Sequence, residues 1–136
     1  MRLLLACLLI VAATFTAGAG YALAAAADVL LDKYKTEGAK SFNAGRGEKL
    51  WNTEFTSKST GKPVSCVSCH NAEFKKSGKH KETGENIEPL APSVNRKRLT
   101  DTAFIEKWLK RNCKGTLGRE CTPQEKGDLL LYIKKQ

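Results

Sequence analysis

The sequence predicts an all-α domain in which several helices and long loops are wrapped around one bound cofactor. Apolar residues recur at helical spacing in four segments of the chain, and no pair of strands joined by a hairpin turn is evident. Residues 71–95 lack periodicity and are interrupted by Gly78, Gly84, Pro89 and Pro92. So long an irregular segment is uncommon in a compact domain. It is expected where the chain surrounds a large flat group.

The N-terminal residues have the composition of an export signal. Arg2 supplies a positive charge, Leu3 to Val11 form an apolar stretch, and small residues lead to Ala22-Leu23-Ala24. This pattern predicts cleavage after Ala24, which divides the chain into a signal peptide, residues 1–24, and one domain, residues 25–136.

A retained membrane anchor is the alternative interpretation of this segment. Apolar and small residues continue to Ala27, although Gly18 and Gly20 interrupt the run. A membrane span needs about 20 predominantly apolar residues. We therefore favour cleavage, which predicts a bacterial protein in the periplasm.

The predicted mature domain is basic. It retains 22 Lys and Arg and 14 Asp and Glu, which gives a net charge of +8 over 112 residues. Such a charge either keeps the protein soluble or steers it toward an acidic redox partner or an anionic membrane surface. Export excludes nucleic acid as a partner. The length fits one small domain, and we expect a monomer.

Two helices are predicted before the first long loop. Residues 28–37 place Leu30, Leu31 and Tyr34 on one face, and Gly38 is expected to end this helix. A second helix is predicted for residues 41–53, which contain Leu50 and Trp51. Residues 56–63 are rich in Ser, Thr, Gly and Lys and are therefore predicted to form a loop.

Directly after this loop comes the attachment motif of a c-type haem, Cys66-Val67-Ser68-Cys69-His70. Two cysteines separated by two residues can add to the two vinyl groups of one haem, and His70 is then the proximal iron ligand. The predicted cofactor is one covalently attached haem c.

Two further helices are predicted in the C-terminal part of the chain. Thr100 or Asp101 caps a helix that runs to about Arg111. Residues 122–125 form a capping box with proline at the first helical position, which opens a last helix to about Lys135. The buried side of this last helix comprises Leu129, Leu130, Tyr132 and Ile133.

A second pair of cysteines, Cys113 and Cys121, remains in the predicted mature chain. In an oxidising compartment this pair is most simply a disulfide that closes a small loop. The alternative is a zinc module built from Cys66, Cys69 and this pair. The seven residues between Cys113 and Cys121 exceed the spacing usual for zinc.

The second axial ligand of the haem iron separates electron transfer from ligand binding. Met1 is the only methionine and would leave with the signal peptide, so methionine ligation is excluded. His80 is the only histidine besides the proximal one, but its hydrophilic surroundings predict a surface position. Lys110, Lys114, a cysteine thiolate or an open position are further alternatives.

Asn112 continues an apolar stripe along the third predicted helix. Phe104, Ile105, Trp108 and Leu109 lie on one face of that helix, and Asn112 follows Trp108 by four residues. Phe104 and Trp108 are predicted to pack against the haem. A buried asparagine needs a polar partner. Periodicity leaves two roles open for Asn112, which are an iron ligand and a helix C-cap.

Several short motifs match one known family in order. They are Gly61-Lys62-Pro63, the haem motif, Pro89-Leu90-Ala91-Pro92-Ser93, Arg98, Thr100-Asp101, Glu106-Lys107-Trp108-Leu109, Arg111-Asn112-Cys113 and Cys121-Thr122-Pro123. Together they resemble the SHP (sphaeroides haem protein) type of class I cytochromes c. The last two motifs are the specific ones, because every c-type cytochrome has the attachment motif.

The resemblance implies a class I cytochrome c fold and a set of site residues. Asn112 matches the family's sixth ligand of ferric iron, and Cys113 and Cys121 match its disulfide. Arg98 matches a family arginine that we place near a haem propionate, with an ordinary surface position as the alternative. Arg96 and Lys97 differ from the family's motif, which leaves surface details open.

The expected function is that of a periplasmic monohaem cytochrome c that carries electrons. Reduction would release Asn112, because a hard carboxamide oxygen suits ferric iron better than ferrous iron. The ferrous haem could then bind O₂, NO or CO. The resemblance also suggests a redox partner such as a membrane cytochrome b or a multihaem cytochrome.

An enzyme is the alternative function. An open ferrous site would permit chemistry on a small oxygen or nitrogen species such as O₂, NO or hydroxylamine. The sequence offers no distal acid–base pair to promote it, only His80 and scattered carboxylates. No catalytic residue is therefore assigned.

Overall fold

The computed structural model describes residues 21–136, with side chains from Ala26 onward. The helices are α1 (Tyr21–Thr36), α2 (Ala44–Asn52), α3 (Cys66–His70), α4 (Thr102–Leu117) and α5 (Pro123–Lys134). The predicted all-α class is confirmed.

The predicted signal peptide and its alternative as an anchor fall mainly on residues outside the described range of 21–136. Within it, no helix combines the length and the apolar run that a bilayer span requires.

Two short antiparallel ladders accompany the helices. β1 (Phe55–Thr56) pairs with β2 (Pro63–Val64), and β3 (Gly78–Lys79) pairs with β4 (Asn86–Ile87). The expectation that the chain lacks hairpins was wrong at these two places. Strands of two residues are too short to show the alternation by which a strand is recognised in sequence.

The helix ends follow local capping chemistry. Gly38 ends α1 with a positive φ of 96°, as predicted. The Asn43 side chain accepts from the Arg46 N–H, so α2 begins later than residue 41. The Asp101 side chain accepts from the Phe104 N–H at the start of α4. The prediction that α4 ends near residue 111 was wrong, because the helix continues to Gly118, which has a φ of 72°.

α2 crosses α5 at very short range. A Cβ built on Gly47 would overlap the carbonyl of Asp128 and press on the Tyr132 side chain. On the facing helix, a Cβ on Gly127 would overlap the ring of Phe42. Gly47 lets the two backbones approach closely, and Gly127 makes room for the ring of Phe42, which precedes α2. Trp51 at the end of α2 is buried in the core.

Asp128 fastens this crossing with a buried set of hydrogen bonds. Its carboxylate accepts from the Asn43 N–H at 2.6 Å, from Arg46 Nε at 2.7 Å and Nη2 at 2.9 Å, and from Gln124 Nε2 at 3.2 Å. The Asp128 side chain is only 5% exposed. Its charge is tolerated there because both carboxylate oxygens have donors.

α1 and α5 pack together and enclose the main apolar core. Leu30, Leu31 and Tyr34 of α1 are buried, as are Leu129, Leu130 and Ile133 of α5. The predicted faces of both helices are therefore confirmed, with Tyr132 half-buried at the edge. Glu106 of α4 binds Lys33 of α1 at 2.8 Å and Lys126 of α5 at 3.1 Å, so all three helices are tied at one point.

Replacement of Asp128 should loosen the α2–α5 crossing. Asp128→Ala leaves the Asn43 N–H without its acceptor and removes the partner of Arg46. We expect a loss of about 2 kcal/mol in the free energy of unfolding, since Arg46 itself stays half exposed. Asp32→Ala, which removes an exposed pair with Lys35, should change the stability by less than about 0.5 kcal/mol. Urea denaturation measures the stability of both variants. Equal losses in Asp128→Ala and Asp32→Ala would contradict the role of Asp128 in the crossing.

The cap of α5 should make stability depend on acid pH. The hydrogen bond from Arg119 holds the pKa of Glu125 down, at about 2, against an ordinary value of about 4.3. A depressed pKa stabilises the fold above the ordinary value, and this contribution disappears as the pH falls toward 2.

The variant Glu125→Gln tests this contribution. Its free energy of unfolding should be lower than that of the wild type by up to about 1 kcal/mol at pH 7. Between about pH 4.3 and pH 2 it should lose less stability than the wild type does. Glu54→Gln at an exposed position is the control and should follow the wild-type curve. If Glu125→Gln followed that curve too, the cap would carry no such contribution.

Candidate functional site

The haem motif forms a short helix of its own. In α3, Ser65 and Ser68 cap each other, with the Ser65 N–H donating to Ser68 Oγ at 3.1 Å and the two hydroxyls 2.9 Å apart. Cys66 and Cys69 are half-buried free thiols. Burial raises the pKa of Cys66 to about 11, so the thiol is neutral at physiological pH. Neither cysteine is bonded to another cysteine, so both are available for thioether bonds.

The His70 ring is held against aromatic residues from α2 and the following loop. The Trp51 ring centroid lies 5.3 Å from that of His70 and 4.9 Å from that of Phe74. Burial lowers the pKa of His70 to about 4, with smaller contributions from Arg98 and His80. The imidazole is therefore neutral, which is the form that binds a metal. Sequence reasoning placed Trp51 on a helix and missed its contact with the motif.

The β3–β4 hairpin packs on the motif through Gly78. A Cβ at this position would overlap the Cys69 carbonyl and approach the His70 Cα to 2.8 Å. Only glycine permits this contact, so Gly78 is a site residue that sequence reasoning missed. Its signal was an isolated glycine in a loop, which by itself predicts only a turn.

His80 belongs to the turn of this hairpin. Its Nδ1 accepts from the N–H groups of Glu82 and Thr83 at 3.3 and 3.1 Å. The residue is half-buried rather than fully on the surface as predicted. The hairpin packs on Cys69 and His70 through Gly78, and the Nδ1 atom of His80 is used within the hairpin's own turn.

Arg98 is fixed to the backbone of the loop before it. Its Nε donates to the Pro89 carbonyl at 3.0 Å and its Nη2 to the Glu88 carbonyl at 2.8 Å. Burial lowers the pKa of Arg98, and Glu88 opposes this effect. Both acceptors are neutral carbonyls, so the guanidinium keeps its positive charge close to His70. A carboxylate could neutralise this charge.

Asn112 lies within α4, five residues before its last residue, Leu117. The C-cap interpretation of Asn112 was therefore wrong, because Gly118 has that position. Asn112 is half-buried and follows Phe104 and Trp108 on the same face of the helix, as predicted. The rings of these two residues lie 5.9 Å apart.

A disulfide joins Cys113 to Cys121, with Cα atoms 5.6 Å apart. It connects α4, at the residue after Asn112, with the start of α5. The zinc alternative was wrong, because this pair is bonded and no three potential ligands cluster in the described part of the chain. Lys110 and Lys114 both pair with Glu120 at the surface, at 3.5 and 3.0 Å, and their side chains are more than half exposed.

These residues fit a haem group. Cys66 and Cys69 offer two free thiols, and His70 offers a neutral imidazole. His70 Nδ1 and Trp108 Nε1 are buried without a hydrogen-bond partner among the described residues. Trp51 Nε1 and Tyr34 Oη are unpaired there as well. Buried polar atoms are rarely left unpaired, so the unpaired atoms of His70 and of Trp51 beside it fit a motif that receives a further group.

Known proteins with the same arrangement identify the family. A family described as "Domain of unknown function (DUF1924)" matches residues 37–133. The cytochrome c-type protein SHP of Cereibacter sphaeroides is 41% identical over 109 residues, which is 79% of this chain and 81% of that protein. The chain belongs to the SHP family of cytochromes c.

Solved structures of relatives have the same fold. The structure "oxidized SHP, an oxygen binding cytochrome c" has a TM-score of 0.73 at 40% identity and covers 81% of this chain and 96% of that one. Oxidized cytochrome c'' from Methylophilus methylotrophus has a TM-score of 0.70 at 33% identity, covering 82% of this chain and 95% of that one. The predicted class I cytochrome c fold is confirmed.

The sequence of cytochrome c'' from Methylophilus methylotrophus is 39% identical to this chain over 87 residues. The match spans 64% of this chain and 60% of that protein. Both relatives are c-type haem proteins, so this cytochrome c carries one covalently attached haem c.

The close fit of Gly78 on the attachment motif should matter for maturation. Gly78→Ala forces the hairpin away from Cys69 and His70, so we expect a smaller fraction of the expressed chain to carry haem. Gly115→Ala has open space for its Cβ and is the control. Intact-mass spectrometry measures the haem-bearing fraction, and equal loading of both variants would contradict the prediction.

Proposed function

We propose that this protein is a periplasmic monohaem cytochrome c that carries electrons and binds a diatomic ligand when reduced. Cys66 and Cys69 form the two thioether bonds, His70 is the proximal ligand, and Asn112 is the sixth ligand of the ferric iron. The bound haem supplies one-electron transfer and, when its sixth position is free, a site for O₂, NO or CO.

The position of Asn112 is the observation that carries this proposal. An asparagine on the apolar face of a helix, away from either end, needs a polar partner that the helix itself does not provide. In the described residues its side chain forms no hydrogen bond, although it is half-buried. The neighbouring Trp108 and Phe104 provide the flat aromatic surface that packs on a haem.

Release of Asn112 follows from the chemistry of its carboxamide. The oxygen is hard and neutral, so it binds ferric iron better than the softer ferrous iron. Only the side chain of Asn112 has to move, because the disulfide at Cys113 holds the backbone of α4 beside it. The same anchor returns the carboxamide to the iron on oxidation.

Two further roles complete the proposal. Arg98 lies near enough to His70 to lower its pKa, and no ion pair holds the guanidinium within the described residues, so we assign it to a haem propionate. The likeness to a protein described as an oxygen-binding cytochrome c supports the diatomic ligand. The export signal predicted at residues 1–24 supports a periplasmic location.

The enzyme alternative is weaker than the carrier. His80 is the only histidine of the chain besides His70. Its Nδ1 atom accepts hydrogen bonds within the hairpin turn. An acid–base catalyst has to reach the ligand side of the iron. His80 instead belongs to the turn of the β3–β4 hairpin.

Optical spectra of both oxidation states test the proposed ligand. Wild-type ferric protein should be six-coordinate, and the ferrous protein should bind CO. Asn112→Ala should change the ferric spectrum, because the carboxamide oxygen is lost from the iron, and should still bind CO when reduced. Asn52→Ala, at an exposed position of α2, is the control and should leave both spectra unchanged. A ferrous wild type that stays low-spin and ignores CO would refute ligand release.

A further inference from the structure

Two cations stack on one tryptophan beside the proposed sixth ligand. The Lys107 Nζ lies 6.0 Å from the centroid of the Trp108 ring, and the Arg111 guanidinium carbon lies 5.2 Å from it. Both distances fall within the range of cation–π attraction. Both cationic residues are exposed, and Arg111 directly precedes Asn112.

These cations differ from the other basic residues of the same helix. Lys110 and Lys114 share the carboxylate of Glu120. In residues 21–136, neither Lys107 nor Arg111 forms an ion pair with a carboxylate. They are four residues apart on α4, and like charges at this spacing destabilise a helix by about 0.2–0.5 kcal/mol. The helix therefore carries a positive patch without compensating carboxylates, although the repulsion between the two charges lowers the stability of the helix.

From this patch we infer that Lys107, Trp108 and Arg111 form the docking surface for an acidic redox protein. The inference rests on the proposed function, because it needs the haem next to α4. Carboxylates of the partner would pair with the two cations, and Arg111 offers them a planar fork of donors. Trp108 carries both cations on its ring and has a buried Nε1 atom. It precedes Asn112, the proposed sixth ligand, by one turn of α4.

An acidic protein fits the patch better than an anionic membrane does. Membrane surfaces attract clusters of about four to eight basic residues together with apolar side chains that insert. Here two cations cover the tryptophan ring, and of the large apolar residues on this helix only Phe104 is strongly exposed, at 45%. A rim of charge around an aromatic residue is typical of a protein interface.

Stopped-flow reduction by a flavodoxin hydroquinone provides the test, because flavodoxin is an acidic protein-sized donor. The anionic flavin hydroquinone gives one electron to the ferric haem and becomes the neutral semiquinone, while the iron becomes ferrous. Lys107→Gln/Arg111→Gln should lower the second-order rate constant at low ionic strength at least about fivefold and weaken its salt dependence.

The control variant Lys40→Gln/Lys135→Gln removes the same total charge. Neither of its residues is ion-paired within the described chain, so the control should lower the rate constant by less than about twofold. Equal effects of the two double variants would overturn the inference in favour of net charge. A changed haem spectrum in Lys107→Gln/Arg111→Gln would also overturn it, because the cations would then belong to the haem.

A membrane role has its own outcome. Phosphatidylglycerol vesicles should not sediment the wild-type protein through this patch. If they did, and if Lys107→Gln/Arg111→Gln abolished it without slowing the flavodoxin reaction, the patch would be a lipid site and the docking surface would be refuted. These measurements report docking whether or not Asn112 leaves the iron, so failure of the proposed function is distinguishable.

Discussion

The close crossing of α2 and α5 is the constraint on which the rest of the structure depends. Gly47 lets the two backbones meet, and Asp128 locks them by binding Arg46 and the start of α2. The crossing fixes Trp51, which in turn supports the ring of His70. It also fixes the start of α5, to which the disulfide ties the helix that carries Asn112. This crossing therefore positions both His70 and the proposed sixth ligand.

The two sides differ in how firmly they are held. On the His70 side, Trp51 and the hairpin at Gly78 pack directly on the motif and Phe74 supports Trp51, which suits a ligand that stays in place. On the other side, Asn112 projects from a continuous helix that is anchored nearby by Cys113. A side chain can rotate there without moving the helix. The proposed release of one ligand and retention of the other follow from this difference.

The sequence predicted those features whose signals are local. The haem motif, the capping box before α5 and the buried faces of α1 and α5 each depend on residues close together in the chain. The cofactor and the missing methionine followed from motif and composition. The end of α4 was missed because Gly115 lies inside the helix and only Gly118 ends it. The contacts of Gly78 and Trp51 with the motif join distant segments, and periodicity carries no information on such pairs.

The structures of the haem-loaded protein in both oxidation states test the central claim most directly. In the ferric form, the Asn112 oxygen should bind the iron opposite His70. In the ferrous form, the same side chain should have left the iron while His70, the disulfide and the backbone of α4 keep their positions. The account would be contradicted if another residue bound ferric iron, or if Asn112 remained bound after reduction.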